Sequence, residues 1–299
     1  MSTPFVRPLS SSHCPGVAFI ILLLLILLVG VAAGLLGSLS GLGGGVVIVP
    51  LLVVAFQIPL VDAIGASAVS VLATSTATGA AYVRDRLTDI RIGMFLEIAT
   101  VPGALFGVTA TLLLAKSGLG SALLVALGAV LLFTVPSSLS RAAKPAGERR
   151  VDRRSRALKL KGSYYDPHLG REVSYEAERT TPALATMFAA GTVSGMFGIG
   201  GGVLKVLALE RFLGLHAKVA TATSNFMIGV TVAASSGVLL LAGDVNPVIA
   251  GPVALGTAVG AMVGSRLLPG MSSARVASIF LVLVAVLGVE LVLRGLGIG

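Results

Sequence analysis

Charge is scarce in this chain. Only 12% of its 299 residues are Asp, Glu, Lys or Arg, about half the share of a water-soluble domain, so an ordinary solvated surface is excluded. Cysteine is scarcer still: Cys14 stands alone, which rules out a disulfide framework and a thiolate metal centre. The three histidines, His13, His168 and His216, are scattered without the spacing of metal ligands. There is no H-E-x-x-H pair, no Walker sequence ending in Lys-Ser/Thr, and no Ser, His and acid set on one membrane face. Neither an enzyme nor a resident cofactor is expected.

Apolar residues fill the space that charge leaves. They make up 55% of the chain, and the mean hydropathy is +0.99. Runs at 17–39, at 93–115 and, with its flanks, at 279–293 reach the roughly 20 residues that cross a bilayer. These runs predict an all-α integral membrane protein, a polytopic helical bundle with the lipid bilayer as its solvent. The net charge of +9 does not point to nucleic acid as a partner. Eleven of the 22 Lys and Arg lie between Arg141 and Arg179, where the bias of basic loops toward the cytoplasm accounts for them, and no reader motif accompanies them. Residues 17–29 resemble the core of a signal peptide and Val31-Ala32-Ala33 a weak cleavage site. Only Arg7 precedes them, so an uncleaved N-terminus is expected.

The chain is also written twice. "AAGLLGSLSGLGGGVVIV" from Ala32 returns as "AAGTVSGMFGIGGGVLKV" from Ala189, an offset of 189 − 32 = 157 residues. Without a gap, the offset carries Ala63 onto Ala220, Ser67 onto Ser224, Thr74 onto Thr231, Asp89 onto Asn246 and Gly103 onto Gly260. Such self-similarity marks a duplicated unit. Each half reads as five apolar segments: 17–39, 43–57, 60–83, 93–115 and 119–136, then 182–197, 200–213, 218–242, 247–267 and 274–294. The predicted organisation is a tail at 1–16, a membrane repeat at 17–136, a basic cytoplasmic linker with a small hairpin at 137–181, and a second membrane repeat at 182–299.

That gives about 8–10 membrane segments in two homologous repeats. Five per half inverts the second repeat. Four per half, with each glycine break read as one kinked span, makes the repeats parallel but moves Arg211, Lys218, Arg266 and Arg275 outside, so the charge rule favours inversion. Gly103-x-x-x-Gly107 and Gly256-x-x-x-Gly260-x-x-x-Gly264 present small faces for helix contact. The linker is read as solvated, with turn chemistry at Asp166-Pro167-His168-Leu169-Gly170 and a headgroup contact by its Arg cluster as a second reading.

Glycine is where the apolar pattern breaks. Gly41, Gly43, Gly44 and Gly45 interrupt the first half, and Gly198, Gly200, Gly201 and Gly202 interrupt the second at the same repeat position. Each glycine costs a helix about 1 kcal/mol relative to alanine, so continuous helix is not expected there. Each run precedes an apolar segment, whose free N-terminal amides favour an anion. Ser67 and Ser224 are repeat partners beside these breaks, and Asn225, Thr223, Thr74, Ser75 and Thr78 add neutral donors. The bland alternative for each hydroxyl is a bond to its own helix carbonyl.

Lys205, three residues after Gly202 and matched by Ile48 in the first half, is a charge within a span and the sharpest candidate for a bound anion. Snorkelling toward the Glu210 and Arg211 end is its competing role. Glu97 and Glu290 are read as solvated carboxylates near segment ends. Without a carboxylate or histidine relay at membrane depth, passive or potential-driven export is expected, the potential contributing about 2.3 kcal/mol per charge per 100 mV.

"GLGGGVVIVPLL" and "GIGGGVLKVLAL", each followed by a small-residue helix start (Gly65-Ala66-Ser67 and Ala222-Thr223-Ser224), resemble the sulfite exporter TauE/SafE family of bacterial membrane proteins. The resemblance spans both repeats. It implies an inner-membrane, multi-pass transporter whose partner is a small anion, such as sulfite or a sulfonate. The family's proline after the second motif is Leu207 here, whereas the first keeps Pro50. An alternative of another class is a membrane-embedded sensor or scaffold acting through 137–181. Oligomeric state is left open by the sequence.

Overall fold

The computed structural model describes residues 15–40, 43–139, 153–158, 160–166, 171–267 and 273–298. Its elements in chain order are α1 (Pro15–Ser40), α2 (Gly45–Val54), α3 (Leu60–Arg84), α4 (Ile90–Lys116), α5 (Gly120–Leu139), α6 (Arg153–Ala157), β1 (Lys161–Asp166), β2 (Arg171–Glu176), α7 (Thr180–Phe197), α8 (Gly202–Arg211), α9 (Ala217–Ala242), α10 (Pro247–Leu267) and α11 (Ser273–Gly295). The ten apolar segments read from the sequence coincide with the ten long or apolar helices to within a few residues. Lipid offers backbone groups no hydrogen-bond partner, so an apolar run that enters it must close its own bonds as helix.

Among the described residues, five helical stretches are long and apolar enough to cross a membrane: Phe19–Ser38, Leu60–Arg84, Ile90–Lys116, Ala217–Ala242 and Pro247–Arg266. Large apolar side chains such as Ile98, Phe106, Leu241 and Leu255 point outward, while Ser70, Thr74, Thr100 and Thr257 are buried. Most of the buried hydroxyls bond carbonyls of their own helix, as Thr74 does to Ser70 O (2.9 Å) and Thr78 to Thr74 O (3.0 Å). For these two the bland role holds.

Glycine stripes set which helices touch. α1 lies along α10 and α4 along α7. A Cβ on Gly260 would stand 2.0 Å from Val31 O, and one on Gly107 would stand 2.1 Å from Thr192 O, so only glycine allows these approaches. Moving α1 and α4 by 157 residues gives α7 and α10, so the two contacts exchange under the offset. α3 packs against its counterpart α9, and α5 against α11. The halves are thus interlocked.

The polar segment departs from its solvated reading. β1 and β2 pair antiparallel from Lys161↔Glu176 to Asp166↔Arg171. Leu160, Tyr164, Tyr175 and Ala177 are buried in one cluster with Ile92, Leu96, Met187 and Leu209. Tyr175 OH donates to Asp89 Oδ2 (3.0 Å), and Asp89 Oδ1 accepts from Ile92 N–H (2.9 Å) as the N-cap of α4. The alternating tyrosines give the hairpin one apolar face, which packs onto the helices. Residues 167–170, 140–152, Cys14 and His13 lie outside the described residues.

Candidate functional site at the crossed glycine turns

Positive φ angles show why glycine is required at the breaks. Gly43 has φ +79°, Gly200 +81°, and Gly198 and Gly201 +63° each, in a region that side chains with a Cβ occupy at a cost. Gly41 lies outside the described residues. Both breaks are reversals. A Cβ on Gly44 would lie 3.3 Å from Ala33 O, and one on Gly201 would lie 2.4 Å from Ala190 O. Residues so spaced in a continuous helix would be about 16 Å apart, so α2 folds back beside α1 and α8 beside α7.

The two turns meet. A Cβ on Gly45 would lie 2.8 Å from Gly198 O, and one on Gly43 would lie 3.5 Å from Ile199 O. Ser67 Oγ donates to Gly198 O (2.9 Å), joining α3 of the first half to the turn of the second. Val71 on α3 and Ile228 on α9 fill the space beside both turns, within 3.8 Å of the Cβ positions of Gly43 and Gly200. Each lies near the middle of its helix, about 17 Å from the helix start.

Donors remain around this crossing. The opening amides of α2, from Gly45, and of α8, from Gly202, precede the first intrahelical bonds, which run from Val47 N to Gly44 O and from Lys205 N to Gly201 O (both 3.1 Å). Ser224 Oγ and Asn225 Nδ2 are buried with no partner among the described residues. Ser75 Oγ donates to the backbone carbonyl of Asn225, and Thr223 Oγ1 accepts from Asp89 N–H (3.0 Å). A cavity of about 270 Å³ lies against the start of α8, between Val46, Phe133, Thr134, Gly201, Gly202 and Leu204. Its hydroxyl, Thr134 Oγ1, is spent on Leu131 O (2.6 Å), so its polar surface is backbone.

Lys205 is fully buried and does not snorkel. Its Nζ donates to Met227 O (3.2 Å) and to Thr231 Oγ1, and lies 3.9 Å from Glu97 Oε1. Thr231 Oγ1 is 2.9 Å from Glu97 Oε1. Ser224, Ile228 and Thr231 follow i, i+4, i+7 spacing, one stripe of α9. The ion pair therefore sits about one helical turn, or 5 Å, from the glycine crossing.

Glu97 corrects the reading of a solvated carboxylate at a segment end, for it is only 4% exposed. It lies about 10 Å along α4 from Ile90, and its partners come from α8 and α9, which no local pattern reveals. Glu290 fits the expectation, half-exposed and paired with Arg294 (2.9 Å) at a helix end. Sequence reasoning missed Glu97 and the bridging role of Thr231. One signal was present: Glu97 and Lys205 both replace uncharged repeat partners, Ala254 and Ile48.

Comparison with known proteins gives this geometry its context. The sulfite exporter TauE/SafE family model matches residues 26–291. The chain is 29% identical over 287 residues to the "Probable membrane transporter protein YunE" of Bacillus subtilis (strain 168), covering 93% of this chain and 99% of that protein. No solved structure matches. A doubled glycine reversal buried among apolar helices and a family match over nearly the whole chain agree: this is a multi-pass membrane transporter of the TauE/SafE family.

Proposed function

We propose that the chain exports a small sulfur-containing anion, sulfite or a sulfonate, by alternating access, holding it where the two glycine turns meet. The observation that carries this reading is a fully buried lysine about one helical turn from that crossing. Gly43, Gly44 and Gly45 in one half, and Gly198, Gly200, Gly201 and Gly202 in the other, shape the turns and offer the first amides of α2 and α8. Ser224 and Asn225 supply uncommitted donors, and Ser67 fixes the second turn through Gly198 O. A sulfo group presents three oxygens around one sulfur, suited to donors arriving from several directions.

Chain direction supports inverted repeats. Asp89 meets Thr223 and Glu97 meets Thr231, a constant register that makes α4 and α9 parallel. α3 ends at Arg84 and α4 begins at Ile90, so a short connection makes these two spans cross in opposite senses. α9 therefore runs against its counterpart α3. Movement of α3 over α9 about Val71 and Ile228 would uncover the turns first to one side and then to the other. The concentration of basic residues between Arg141 and Arg179 supports a cytoplasmic side for that segment, in a protein of the bacterial inner membrane.

The direct test is transport by the full chain in proteoliposomes with a panel of sulfite, sulfonates and carboxylates. Saturable flux of a sulfur oxyanion, weakened in Ser224→Ala, supports the reading. If no panel member moves while deletion of 141–179 abolishes the cellular phenotype, the sensor reading replaces it; the docking of the hairpin on Asp89 favours that second reading.

A further inference from the structure

Lys205 already has a counter-ion, so an arriving anion leaves a charge unbalanced. The Lys205 and Glu97 side chains are 0% and 5% exposed. Thr231 Oγ1 stands between them, accepting from Lys205 Nζ and facing Glu97 Oε1 (2.9 Å), Glu97 Oε2 (3.1 Å) and Met227 O (2.8 Å) with its one proton. α5, α7 and α9 pack against α4, and the hairpin meets the start of α4, where Tyr175 faces Asp89 about 12 Å along the helix from Glu97. α5 and α7 contain no ionisable side chain, and α9 contains only Lys218, in its first turn. On α8, Glu210 and Arg211 occupy the end away from Lys205. Among the described residues, Lys205 is the one charged group within ion-pair distance of Glu97.

We infer that Glu97 is the proton-binding residue of the transport cycle, taking up one proton when the anion takes over Lys205, so that anion and proton occupy the membrane interior together. The inference rests on reading Lys205 as the anion's counter-ion. Empty, the cluster holds one ammonium and one carboxylate and is neutral. Loaded with a monoanion and a proton, it holds an ammonium, the anion and a carboxylic acid, and is again neutral. The anion without the proton leaves one excess negative charge, and the proton without the anion leaves one excess positive charge. Uncompensated charge inside the bilayer costs several kcal/mol, so only the two neutral forms pass between the two sides. Each monoanion then moves with one proton, electroneutrally. Export runs while the interior holds more of the anion, and an acid exterior opposes it.

The test uses the full chain in proteoliposomes with methanesulfonate, a strong-acid monoanion whose own charge does not change with pH. The membrane potential is clamped with potassium and valinomycin. The expected result is uptake driven by an acid exterior, indifferent to potential, with external alkalinisation matching the anion taken up. Glu97→Gln mimics the proton-loaded form and carries a net positive charge when empty. It keeps methanesulfonate counterflow to within about twofold, while pH-driven net uptake falls by about tenfold or more, because the empty form cannot return. Flux that follows the potential, flux without proton movement, or unchanged pH-driven uptake in Glu97→Gln overturns the proton role and leaves the anion reading standing. Absence of both uptake and counterflow in the unaltered protein removes both. The proton stoichiometry of the unaltered protein decides the matter even if Glu97→Gln does not fold.

Discussion

Val71 and Ile228 occupy the same position in the two halves of the chain, and both lie against the glycine turns at Gly43 and Gly200. Both are buried, so the meeting point of the turns is closed by two apolar side chains. Ile228→Val removes one methyl group, which costs about 0.5–1.5 kcal/mol and leaves transport in place. Ile228→Phe overpacks a space with no slack and is expected to cost about 1–3 kcal/mol and to stop flux. Thermal unfolding in detergent and proteoliposome flux measure the two effects. A freely transporting Ile228→Phe would show that the crossing is not on the path.

The glycine turns give a matched pair of substitutions. Gly200 has φ +81°, and a Cβ there would lie 2.9 Å from Ile228 Cγ2, so Gly200→Ala is expected to lose about 1–3 kcal/mol through strain. Gly237, inside α9, has nothing within 4 Å of its Cβ position, and Gly237→Ala stays within about 1 kcal/mol of the parent. Equal melting temperatures for the two variants would contradict the turn geometry.

Removal of one ion-pair partner should hurt more than removal of both. Lys205→Met strands Glu97 in the interior and is expected to destabilise by about 3–5 kcal/mol, whereas Lys205→Met with Glu97→Gln recovers most of that loss. A double-mutant cycle on unfolding reads the coupling directly. Additive losses would mean that the 3.9 Å approach carries no energy.

The hairpin makes a prediction in alkaline solution. Burial, and then the negative charge of Asp89, raise the pKa of Tyr175 above the ordinary tyrosine value. The folded state therefore holds the phenolic proton more tightly than the unfolded state does. The resulting stability is complete below about pH 10, the unfolded tyrosine value, and is lost as pH climbs from there toward the higher folded one. Tyr175→Phe removes both this dependence and the bond to Asp89, at about 0.5–1.5 kcal/mol. Tyrosinate absorbance and protease sensitivity of the hairpin follow the transition, and a Tyr175 that ionises like free tyrosine would count against the docking.

Much of the fold was legible because lipid leaves an apolar run few options. Segment limits, the 157-residue offset and the glycine interruptions all reflect one-dimensional constraints: length, composition and backbone freedom. Lys205 was legible as a charge in an apolar run. Glu97 was not, because position along a helix does not reveal which neighbours cover it, and its partner lies on another helix 108 residues away (205 − 97). Ser67 stood out in the sequence as the repeat partner of Ser224, but its bond to Gly198 O depends on how α3 meets the opposite turn. The burial of Tyr164 and Tyr175 was hidden for a similar reason, since alternation describes a strand's two faces without saying what lies beneath either.

The interlocking of α1 with α10 has a consequence for synthesis. α1 ends at Ser40, whereas α10 begins at Pro247, so α1 must wait for a helix made much later before its glycine face is covered. Until then Gly30 and Gly34 expose bare backbone to lipid or to other nascent helices. Long-range pairing of this kind slows assembly and leaves partly built chains open to wrong contacts. Neither half should persist alone after translation is interrupted, and membrane quality-control proteases should meet the unfinished protein more often than the finished one.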